Sequence, residues 1–552
     1  MTTRHLYAPL VVIGGGLGGT AAALTAARLG HRVILTEESD WLGGQLTSQG
    51  VPPDEHEWIE THQISPSYSE LRERIRQHYR GNYPLSDAAR ATANLNPGAG
   101  FVSRLCNEPR VAHLALREMT SPLEASGLLT VLIEHEPIGV IREGDRIEAV
   151  RLLDRRSGDE VVLHGDLVAD ATELGELLEL GGVDHVIGAE SGLATGELHA
   201  PDAANPLDQQ AVTWCAALEL RPGESHVIER PASYERWRNT VPPFWPGPQL
   251  SWDDVEPISL QTRTRPMFFG TPEEAVHSDD LDLWHYRRIL SRANMKEGWE
   301  GHDVTLVNWP QADYWDRPLI GVSPDQRQLA LSESRELTTS FIYWLQTEAP
   351  RSDGGEGYPE LRPRGDVLGT GDGLAKRVYV RESRRIRALF TVTEGHIGRE
   401  MRGEGQGSAV FEDSVGIGFY RIDLHPSTAA RTYVDIDCYP FQIPLGALIP
   451  RDVSNLLAAN KNIGSTHITN GAYRLHPVEW SIGEAVGALA AFCAADSLQP
   501  AAVHGDRMLL ADFQRLLADT LGIALAWSDE IRTRGSQSSA VRERRSSSSR
   551  AH

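Results

Sequence analysis

A glycine-rich turn between an apolar strand and an alanine-rich helix most constrains how this chain can fold. Residues 10–13 (Leu-Val-Val-Ile) form a continuous apolar run, as in a strand covered on both faces, and the turn follows at residues 14–19. A helix is predicted at 20–29 and a second strand at 32–36. This order is a βαβ unit of about 30 residues, which places the turn between the first strand and the helix.

The turn itself has the spacing of a dinucleotide-binding motif. It reads Gly-Gly-Gly-Leu-Gly-Gly and satisfies G-x-G-x-x-G with Gly14, Gly16 and Gly19. The first glycine allows a tight turn, the second lets backbone N–H groups approach a pyrophosphate, and the third allows close contact between helix and strand. The N-terminus of the helix, just after Leu17 and Gly18 of the turn, would then hold the negative charge.

An acidic residue in the expected place strengthens this interpretation. Glu37 follows the second predicted strand, about 20 residues after the turn, where a carboxylate binds ribose hydroxyls. The alternative is a glycine-rich turn in an unrelated α/β protein, in which strand, helix and acid would coincide only by chance. The sequence therefore predicts a bound dinucleotide.

A second glycine pair bears on which dinucleotide is bound. Residues 41–47 read Trp-Leu-Gly-Gly-Gln-Leu-Thr, which is not part of an NAD-only unit. The segment resembles the loop by which FAD-binding proteins of the glutathione-reductase structural type pass the chain beneath the flavin; an ordinary β–α loop is the alternative. Residues 169–175 (Ala-Asp-Ala-Thr-Glu-Leu-Gly) resemble the A-T-G-D-like motif that returns the chain to the FAD domain in the same proteins.

Longer motifs extend the resemblance over residues 8 to 495. Together they are similar to the bacterial FAD-dependent oxidoreductase family that is distantly related to fumarate reductase flavoproteins. In chain order they lie at residues 308–310, 379–385, 441–444, 455–457, 466–471 and 473–480. The chain has Ala459, Asn460 and Lys461 where many relatives have Ala-Gly-Arg. Residues 43–50 contain no histidine, where some flavoproteins attach FAD covalently, so the resemblance implies non-covalent FAD.

The fold expected from these features is α/β, with a Rossmann-like FAD-binding domain and an inserted mixed α+β substrate domain. The mixed sheet would include a three-stranded β-meander, for which the predicted strands are 129–133, 146–153 and 160–168. The FAD-binding domain would comprise residues 1–197 and 441–495, and the substrate domain residues 198–440. A helical extension at 496–533 and a disordered Ser/Arg-rich tail at 534–552 complete the prediction.

The resemblance also implies which residues contact FAD. A helix is predicted from Val478, after Pro477, and its N-terminal dipole would face the pyrimidine edge of the flavin and favour the reduced anionic form. The alternative is a helix that only completes the core. The residues predicted to bind FAD are Gly14, Gly16, Leu17, Gly18, Gly19, Glu37, Glu38, Gly43, Gly44, Gln45, Leu46, Pro137, Ala171, Thr172, Asn462, Val478 and Glu479.

Candidate catalytic residues come from the C-terminal motifs and from the arginine-rich motif at 381–385. Removing hydrogen from an alcohol or amine needs a base, and histidine suits that role near neutrality, so His467 and His476 are candidates. Arg474 and Arg381 could hold a substrate carboxylate or stabilise an oxyanion. The alternatives are structural: a histidine packed beside Pro477, and arginines in ion pairs with glutamates.

Composition and charge limit the partners. The 552 residues carry a formal net charge of −23, which argues against a nucleic acid or an anionic membrane as a partner. The four cysteines are far apart in sequence, so no disulfide framework, metal site or iron–sulfur centre is predicted. The best apolar run, at 485–495, is shorter than the roughly 18 residues of a membrane span. We expect a cytoplasmic protein that binds a small molecule, and the sequence is compatible with a monomer or a homodimer.

The predicted function is that of an FAD-dependent oxidoreductase. We expect two-electron oxidation, by dehydrogenation or desaturation, of a small polar organic substrate through hydride transfer to flavin N5, with reoxidation by O2 or another acceptor. The sequence contains no second complete G-x-G-x-x-G, so a separate NAD(P)H domain is not expected. The alternatives are a flavin-dependent monooxygenase or reductase that uses an external reductant, and a non-catalytic FAD-stabilised binding protein.

Overall fold

The computed structural model describes residues 3–270 and 282–535. From residue 536 onward the predicted tail lies outside the described residues. The strands are, in chain order, β1 Thr3–Ile13, β2 Val33–Glu37, β3 Leu129–Ile133, β4 His135–Glu143, β5 Arg146–Asp154, β6 Glu160–Asp170, β7 His185–Val186, β8 Val212–Thr213, β9 Ala216–Leu220, β10 Asp253–Val255, β11 Thr262–Thr264, β12 Arg288–Leu290, β13 Val304–Val307, β14 Asp313–Tyr314, β15 Leu361–Pro363, β16 Arg385–Ile386, β17 Ser414–Gly418, β18 Ile422–Leu424, β19 Val434–Ile436, β20 Phe441–Pro444 and β21 Leu456–Ala458. The α-helices are α1 Leu17–Arg28, α2 Pro66–Asn82, α3 Asp87–Ala91, α4 Pro109–Ala125, α5 Glu176–Leu180, α6 Gly192–Thr195, α7 Tyr234–Arg238, α8 Leu283–Tyr286, α9 Pro324–Thr347, α10 Gly365–Leu368, α11 Glu394–Ile397, α12 Arg399–Arg402, α13 His467–Tyr473, α14 His476–Asp496, α15 Pro500–Gly505, α16 Arg507–Arg515 and α17 Asp529–Arg532.

The largest sheet carries the predicted βαβ unit at its centre. β1 pairs in parallel with β2 on one side and with β6 on the other, and β2 pairs in parallel with β3. The first part of β6 also pairs in antiparallel register with β5, which pairs with β4. The end of β6 pairs in parallel with β21, which returns from the C-terminal part of the chain. This mixed sheet confirms the predicted α/β, Rossmann-like fold class.

The three-stranded meander is present, but one of its predicted strands is wrong. Leu129–Ile133 pairs in parallel with β2, whereas the first strand of the meander is His135–Glu143. Between them Glu134 has a φ of 60°, which turns the chain. The register of β4 against β5 shifts between Pro137 and Gly139. Proline and glycine weaken the strand pattern, so β4 is hard to recognise in the sequence.

The helix after the glycine turn packs directly on the long C-terminal helix. Both begin earlier than predicted, α1 at Leu17 and α14 at His476. A Cβ on Gly483 of α14 would lie 2.0 Å from the carbonyl oxygen of Gly18, so the two helix backbones are in contact. By length and composition α14 could cross a membrane, but 83% of its most apolar window is buried inside the protein, as in a core helix.

The tryptophan-rich middle segment has a hydrophobic core of its own. The antiparallel sheet β12-β13-β9-β15 and the helix α9 contribute to it. Trp237, Trp284 and Trp309 are almost completely buried there. These tryptophans are therefore core residues rather than a surface that faces a substrate. The domain boundaries at residues 197, 440 and 495 stay predictions.

Candidate functional site

At three glycines of the N-terminal turn, neighbouring backbone atoms leave no room for a side chain. Gly14 has a φ of 100°, and a Cβ there would lie 2.3 Å from the carbonyl oxygen of Ala171. A Cβ on Gly19 would lie 1.9 Å from the carbonyl oxygen of Gly14, and one on Gly18 would lie 1.9 Å from that of Ala459. The turn therefore joins the carboxyl ends of β1, β6 and β21 in one tightly packed corner.

Gly16 differs, because a Cβ there would meet only side-chain atoms. It would lie 2.8 Å from Glu173 Oε1 and 3.4 Å from Asn460 Nδ2. Gly44 borders the same space, and its Cβ would lie 2.5 Å from Glu173 Oε1. We call this space between Gly16, Gly44, Glu173 and Asn460 the glycine slot. It lies at the start of α1, where free backbone N–H groups and the helix dipole favour a phosphate group.

The predicted ribose-binding acid is held at the edge of the turn. Glu37 Oε2 accepts a hydrogen bond from the N–H of Gly15, and Oε1 accepts one from the N–H of Ser39, both at 2.9 Å. Burial raises the pKa of Glu37 to about 7, although these hydrogen bonds oppose the shift. The neighbouring Glu38 is more exposed and pairs with Arg377. Glu37 is thus the acid placed beside the glycine turn.

The predicted loop beneath the flavin connects the glycine turn to the start of α14. Gly43 has a φ of 111° and donates its N–H to the carbonyl oxygen of Gly15 at 2.8 Å. Leu46 is buried. Gln45 Nε2 donates to the carbonyl oxygen of Arg474 at 2.9 Å, just before α14. The loop therefore links the N-terminal motif to the C-terminal motif through buried contacts.

The A-T-G-D-like segment brings a further acidic residue to the slot. Ala171 donates its N–H to the carbonyl oxygen of Ile13 at 2.7 Å, which holds the segment beside the glycine turn. Thr172 donates from both its N–H and its hydroxyl to Asp170 Oδ1, at 3.0 and 2.6 Å. The next residue, Glu173, then faces the glycine slot.

Two residues predicted to bind FAD have partners within the protein. Asn462 Nδ2 donates to the carbonyl oxygen of Asp170 at 2.9 Å, and its Oδ1 accepts from the N–H of Asn460 at 3.2 Å. Pro137 lies in β4 opposite Leu152, in the meander. Contacts of Asn462 and Pro137 with FAD stay predictions.

A buried lysine that the sequence motifs do not single out lies between two acidic residues of the site. Lys461 is 1% exposed and pairs with Glu173 and, at 3.2 Å, with Glu479 in the first turn of α14. Burial alone would lower the pKa of Lys461, but the two carboxylates outweigh it and raise the pKa. The side chain is therefore a fixed positive charge between the glycine slot and α14. The only signal for this lysine in the sequence is that many relatives carry arginine at the same position.

Several buried polar atoms of the site have no hydrogen-bond partner. Among the residues that the structure describes, these atoms include Glu173 Oε1, Gln45 Oε1, Asn470 Oδ1 and His476 Nε2. Buried polar groups in folded proteins are almost always paired, so these atoms are candidates to pair with a ligand. The chemistry of the slot, Glu37 and the first turn of α14, with Val478 and Glu479, is compatible with the pyrophosphate, ribose and flavin parts of FAD, and the individual contacts stay predictions.

His476 is placed as a hydrogen-bond donor rather than as a base. Its Nδ1 accepts from the N–H of Asp54 at 3.0 Å, so the hydrogen of the neutral ring must be on Nε2. Burial lowers the pKa of His476 to about 3, which keeps the ring neutral. The buried Nε2–H is therefore free to donate to a ligand.

Both nitrogens of His467 are already occupied by side chains. Nδ1 lies 3.0 Å from Glu382 Oε1, and Nε2 lies 2.7 Å from Arg431 Nη2. Because the arginine can only donate, Nε2 accepts and Nδ1 donates to the glutamate. This arrangement favours a structural role, and a catalytic role for His467 or His476 stays a prediction.

The two predicted arginines lie in different surroundings. Arg381 donates to Asp313 Oδ1 at 3.1 Å and to the carbonyl oxygen of Ala211 at 2.8 Å. Arg474 donates from Nη1 to the Tyr379 hydroxyl at 2.7 Å, and its Nη2 lies 3.4 Å from Asp423 Oδ2. Arg381 therefore holds an acidic residue in place, whereas Arg474 belongs to a larger group of charged side chains.

That acidic residue, Asp313, orients a histidine that the sequence motifs do not identify. His425 Nδ1 lies 2.5 Å from Asp313 Oδ2, and His425 Nε2 faces Asp423 Oδ2 at 3.7 Å. Burial would raise the pKa of Asp313, but Arg381 and His425 outweigh it and lower the pKa to about 2. The ionised carboxylate of Asp313 orients the ring through Nδ1, so that Nε2 points toward Asp423. The one signal in the sequence is the Asp423-Leu424-His425 spacing, which puts both polar side chains on one face of a strand.

Around Arg474 lies a group of charged and tyrosine side chains from five parts of the chain. Arg287 Nη1 and Asp54 Oδ1 are 4.0 Å apart. Both atoms, and Arg474 Nε, are buried without a hydrogen-bond partner among the described residues. The arginine–tyrosine cluster, as we call it, consists of Asp54, Tyr286, Arg287, Tyr379, Tyr420, Asp423 and Arg474.

Two curated proteins are similar to short stretches of this chain. NADH oxidase of Thermoanaerobacter brockii is 41% identical over 69 residues, which are 11% of this chain and 10% of that protein. Bilirubin reductase of Mediterraneibacter gnavus (strain CC55_001C) is 50% identical over 48 residues, 9% of this chain and 8% of that protein. The chain thus spans about a tenth or less of the curated relatives that it matches.

Solved structures show a weak overall likeness. A geranylgeranyl bacteriochlorophyll reductase-like protein from Thermoplasma acidophilum shares 9% identity and a TM-score of 0.34, covering 94% of this chain and 85% of that chain. Glycerol-3-phosphate dehydrogenase from Bacillus halodurans, solved with FAD, shares 15% identity and a TM-score of 0.23, covering 39% and 40%. At these TM-scores the likeness carries no argument about function.

The family assignment comes from a match that covers most of the chain. The family described as FAD dependent oxidoreductase matches residues 9–517. This range begins within β1, includes the glycine turn and Glu37, and extends past α14. It therefore contains every residue that borders the glycine slot and the arginine–tyrosine cluster. The chain belongs to the FAD dependent oxidoreductase family, and FAD is its cofactor.

Proposed function

We propose that this oxidoreductase removes two electrons from a small polar organic molecule bound at the arginine–tyrosine cluster. The observation that supports the proposal most is that Arg287 Nη1 and Arg474 Nε are buried without a hydrogen-bond partner among the described residues. A ligand that pairs with these groups is favoured, because leaving a buried polar group unpaired costs about 1–3 kcal/mol. The hydrogen bond from Gln45 to the carbonyl oxygen of Arg474 joins the cluster to the loop that is predicted to lie beneath the flavin.

The chain's own side chains have a distinct task in such a reaction. Bound FAD supplies the acceptor of two electrons. The protein must hold the substrate, keep water out and take up the proton that leaves an O–H or N–H group during dehydrogenation. The cluster combines a buried charge with partial access to solvent, because the Arg474 side chain is 2% exposed and the Asp423 side chain beside it is 19% exposed. It is therefore suited to holding a polar molecule.

We assign the proton acceptor to His425. Its Nε2 faces Asp423, which also approaches Arg474, so the histidine borders the cluster. Asp313 holds the opposite nitrogen and would stabilise the positive charge that forms when Nε2 takes a proton. The hydrogen bonds of His467 and His476 leave neither of them an equivalent basic nitrogen.

Anaerobic rapid mixing of the FAD-loaded protein with small alcohols, amines and hydroxy acids tests the proposal. We expect at least one compound to bleach the flavin absorbance in a single turnover. The variant His425→Gln should slow that bleaching by about 100-fold or more, since general base catalysis contributes that much. The matched control is His226→Gln, a surface histidine that pairs with Glu224 at 2.7 Å.

Other outcomes would contradict specific parts of the proposal. If only an external reductant such as NADH bleaches the flavin, and labelled oxygen from O2 enters a product, the protein is a monooxygenase. Reduction by an external reductant followed by hydrogenation of an organic acceptor would indicate the reverse direction. If neither an organic compound nor a reductant bleaches the flavin, the protein binds FAD without turnover. An unchanged rate in His425→Gln would remove this histidine from the mechanism.

A further inference from the structure

We infer that the substrate held by the arginine–tyrosine cluster is a small organic carboxylate, bound between Arg287 and Arg474. The inference rests on the proposed function and names its substrate class. It starts from two guanidinium groups that come from distant parts of the chain. Arg287 follows α8 in the middle segment, and Arg474 lies between α13 and α14.

Each guanidinium has a buried N–H group that the protein leaves free. Arg474 uses Nη1 for Tyr379 and Nη2 for Asp423, but its Nε has no partner among the described residues. Arg287 Nη1 is buried and unpartnered as well, and the nearest carboxylate oxygen, on Asp54, is 4.0 Å away. This distance is too long for a hydrogen bond. The cluster therefore offers charged donors that a bound acceptor would satisfy.

The two guanidinium groups of the cluster are only loosely paired with carboxylates. Arg287 and Arg474 both carry a full positive charge, because guanidinium groups do not deprotonate in proteins. Asp423 Oδ2 lies 3.4 Å from Arg474 Nη2, and Asp54 Oδ1 lies 4.0 Å from Arg287 Nη1, beyond hydrogen-bond distance. A buried cation that is loosely paired favours an anionic ligand.

The neighbouring tyrosines add donors rather than acceptors. Burial raises the pKa of Tyr379 and of Tyr420, so both hydroxyls remain protonated. The Tyr379 oxygen already accepts from Arg474, which leaves its hydrogen free to donate to a ligand. The unpartnered Nε2–H of His476, whose Nδ1 accepts from the N–H of Asp54, is a further potential donor in this region. These donors match a ligand that accepts hydrogen bonds, and Asp54 Oδ1 is an unpartnered acceptor beside them.

A carboxylate fits these donors better than other anions. Two planar guanidinium groups bind a planar carboxylate through paired N–H groups, with strong and directional hydrogen bonds. The site also provides a place for the rest of the molecule, since His425 and Asp423, each 19% exposed, lie beside Arg474 on the side open to solvent. A carboxylate at the arginines would thus place a neighbouring hydroxyl or amine toward His425.

Titration of the FAD-loaded protein with simple anions tests the inference. The probes are acetate, succinate and lactate, with succinamide, inorganic phosphate and methylammonium as comparisons, and the signal is the change in the flavin absorption spectrum. We expect a saturable change with at least one carboxylate below about 100 mM, and none with succinamide or methylammonium. Arg287→Gln and, separately, Arg474→Lys should each weaken the binding of that carboxylate by about tenfold or more. Arg287→Gln removes a charge-assisted hydrogen bond, and Arg474→Lys removes the paired N–H groups of a guanidinium.

The control variant is Arg507→Gln, which replaces an exposed arginine at the start of α16. It should bind the carboxylate as the unchanged protein does. FAD content and thermal unfolding of each variant show whether the fold is kept; Arg287→Gln leaves the C-terminal motif intact and remains informative if Arg474→Lys does not fold.

Several results would overturn the inference. These are no spectral change with any carboxylate, equal binding of succinamide, tighter binding of phosphate than of every carboxylate, or loss of FAD instead of carboxylate affinity in both variants. The proposed function fails separately. If an alcohol or amine without a carboxylate bleaches the flavin while carboxylates do not bind, the oxidation stands and the substrate class is wrong. If carboxylates bind but no compound bleaches the flavin, the anion site stands and the oxidation is wrong.

Discussion

Replacing single glycines of the N-terminal turn by alanine separates cofactor binding from folding. In Gly18→Ala the new methyl group would lie 1.9 Å from the carbonyl oxygen of Ala459 and 3.0 Å from its carbonyl carbon. Both atoms belong to the backbone, so a helix or the segment after β21 must move. In Gly16→Ala the nearest atom is Glu173 Oε1 at 2.8 Å, at the end of a side chain that can rotate.

The expected magnitudes differ for this reason. Forcing a methyl group into packed backbone costs about 1–3 kcal/mol or more, so Gly18→Ala should lower the free energy of unfolding of the apoprotein by at least that amount. Gly16→Ala should change it by less than about 1 kcal/mol. When FAD is bound, however, the methyl group would crowd the pyrophosphate, and the same cost of about 1–3 kcal/mol corresponds to a Kd weakened about 5- to 150-fold.

Two measurements check this prediction. Urea unfolding of the apoproteins gives the change in stability, and quenching of flavin fluorescence on titration gives the Kd of FAD. Gly30→Ala is the control, because a Cβ at Gly30 would meet no atom within 4 Å, although its φ of 91° makes some loss of stability expected. If Gly16→Ala folds normally and binds FAD as tightly as the unchanged protein, the glycine slot does not hold the pyrophosphate.

Two buried charged groups give further predictions. Lys461→Met should lower the free energy of unfolding by about 3–5 kcal/mol, because it leaves the carboxylates that flank the lysine without their cation. Adding Glu479→Gln should restore part of this loss in urea unfolding, and no recovery would contradict the ion-pair explanation. Asp313, with its pKa lowered to about 2, should contribute about 2 kcal/mol of stability that is fully present above its unfolded-state pKa of about 4 and is lost as the pH falls through about 2. Asp313→Asn should therefore be less stable at pH 7 and lose less stability than the unchanged protein between pH 4 and 2, and equal pH slopes would refute this assignment.

Features that depend on neighbouring residues in the chain could be predicted from the sequence. The glycine turn, Glu37 and the Gly43–Gly44 loop form one continuous segment, so their spacing indicated the βαβ unit and a bound dinucleotide, and the resemblance of the loop to those of FAD-binding proteins indicated FAD. The β-meander was harder to predict, because Pro137 and Gly139 obscure the alternating pattern of β4. The strand that was predicted to begin the meander pairs with β2 instead. Strand pairing is a contact between distant segments, and local pattern does not specify it.

The groups proposed for the reaction depend on the tertiary structure. Asp54, Arg287 and Arg474 come from widely separated segments, and no spacing in the chain relates them. The proposed role of His425 as a base depends on Asp313, which holds its other ring nitrogen, and His476 can donate because the Asp54 N–H occupies its Nδ1. Local residue spacing is enough to predict a phosphate-binding turn, because such a turn binds through backbone N–H groups. Which side chains are buried, paired or left free is decided by folding, because burial and hydrogen-bond partners arise only when distant segments meet.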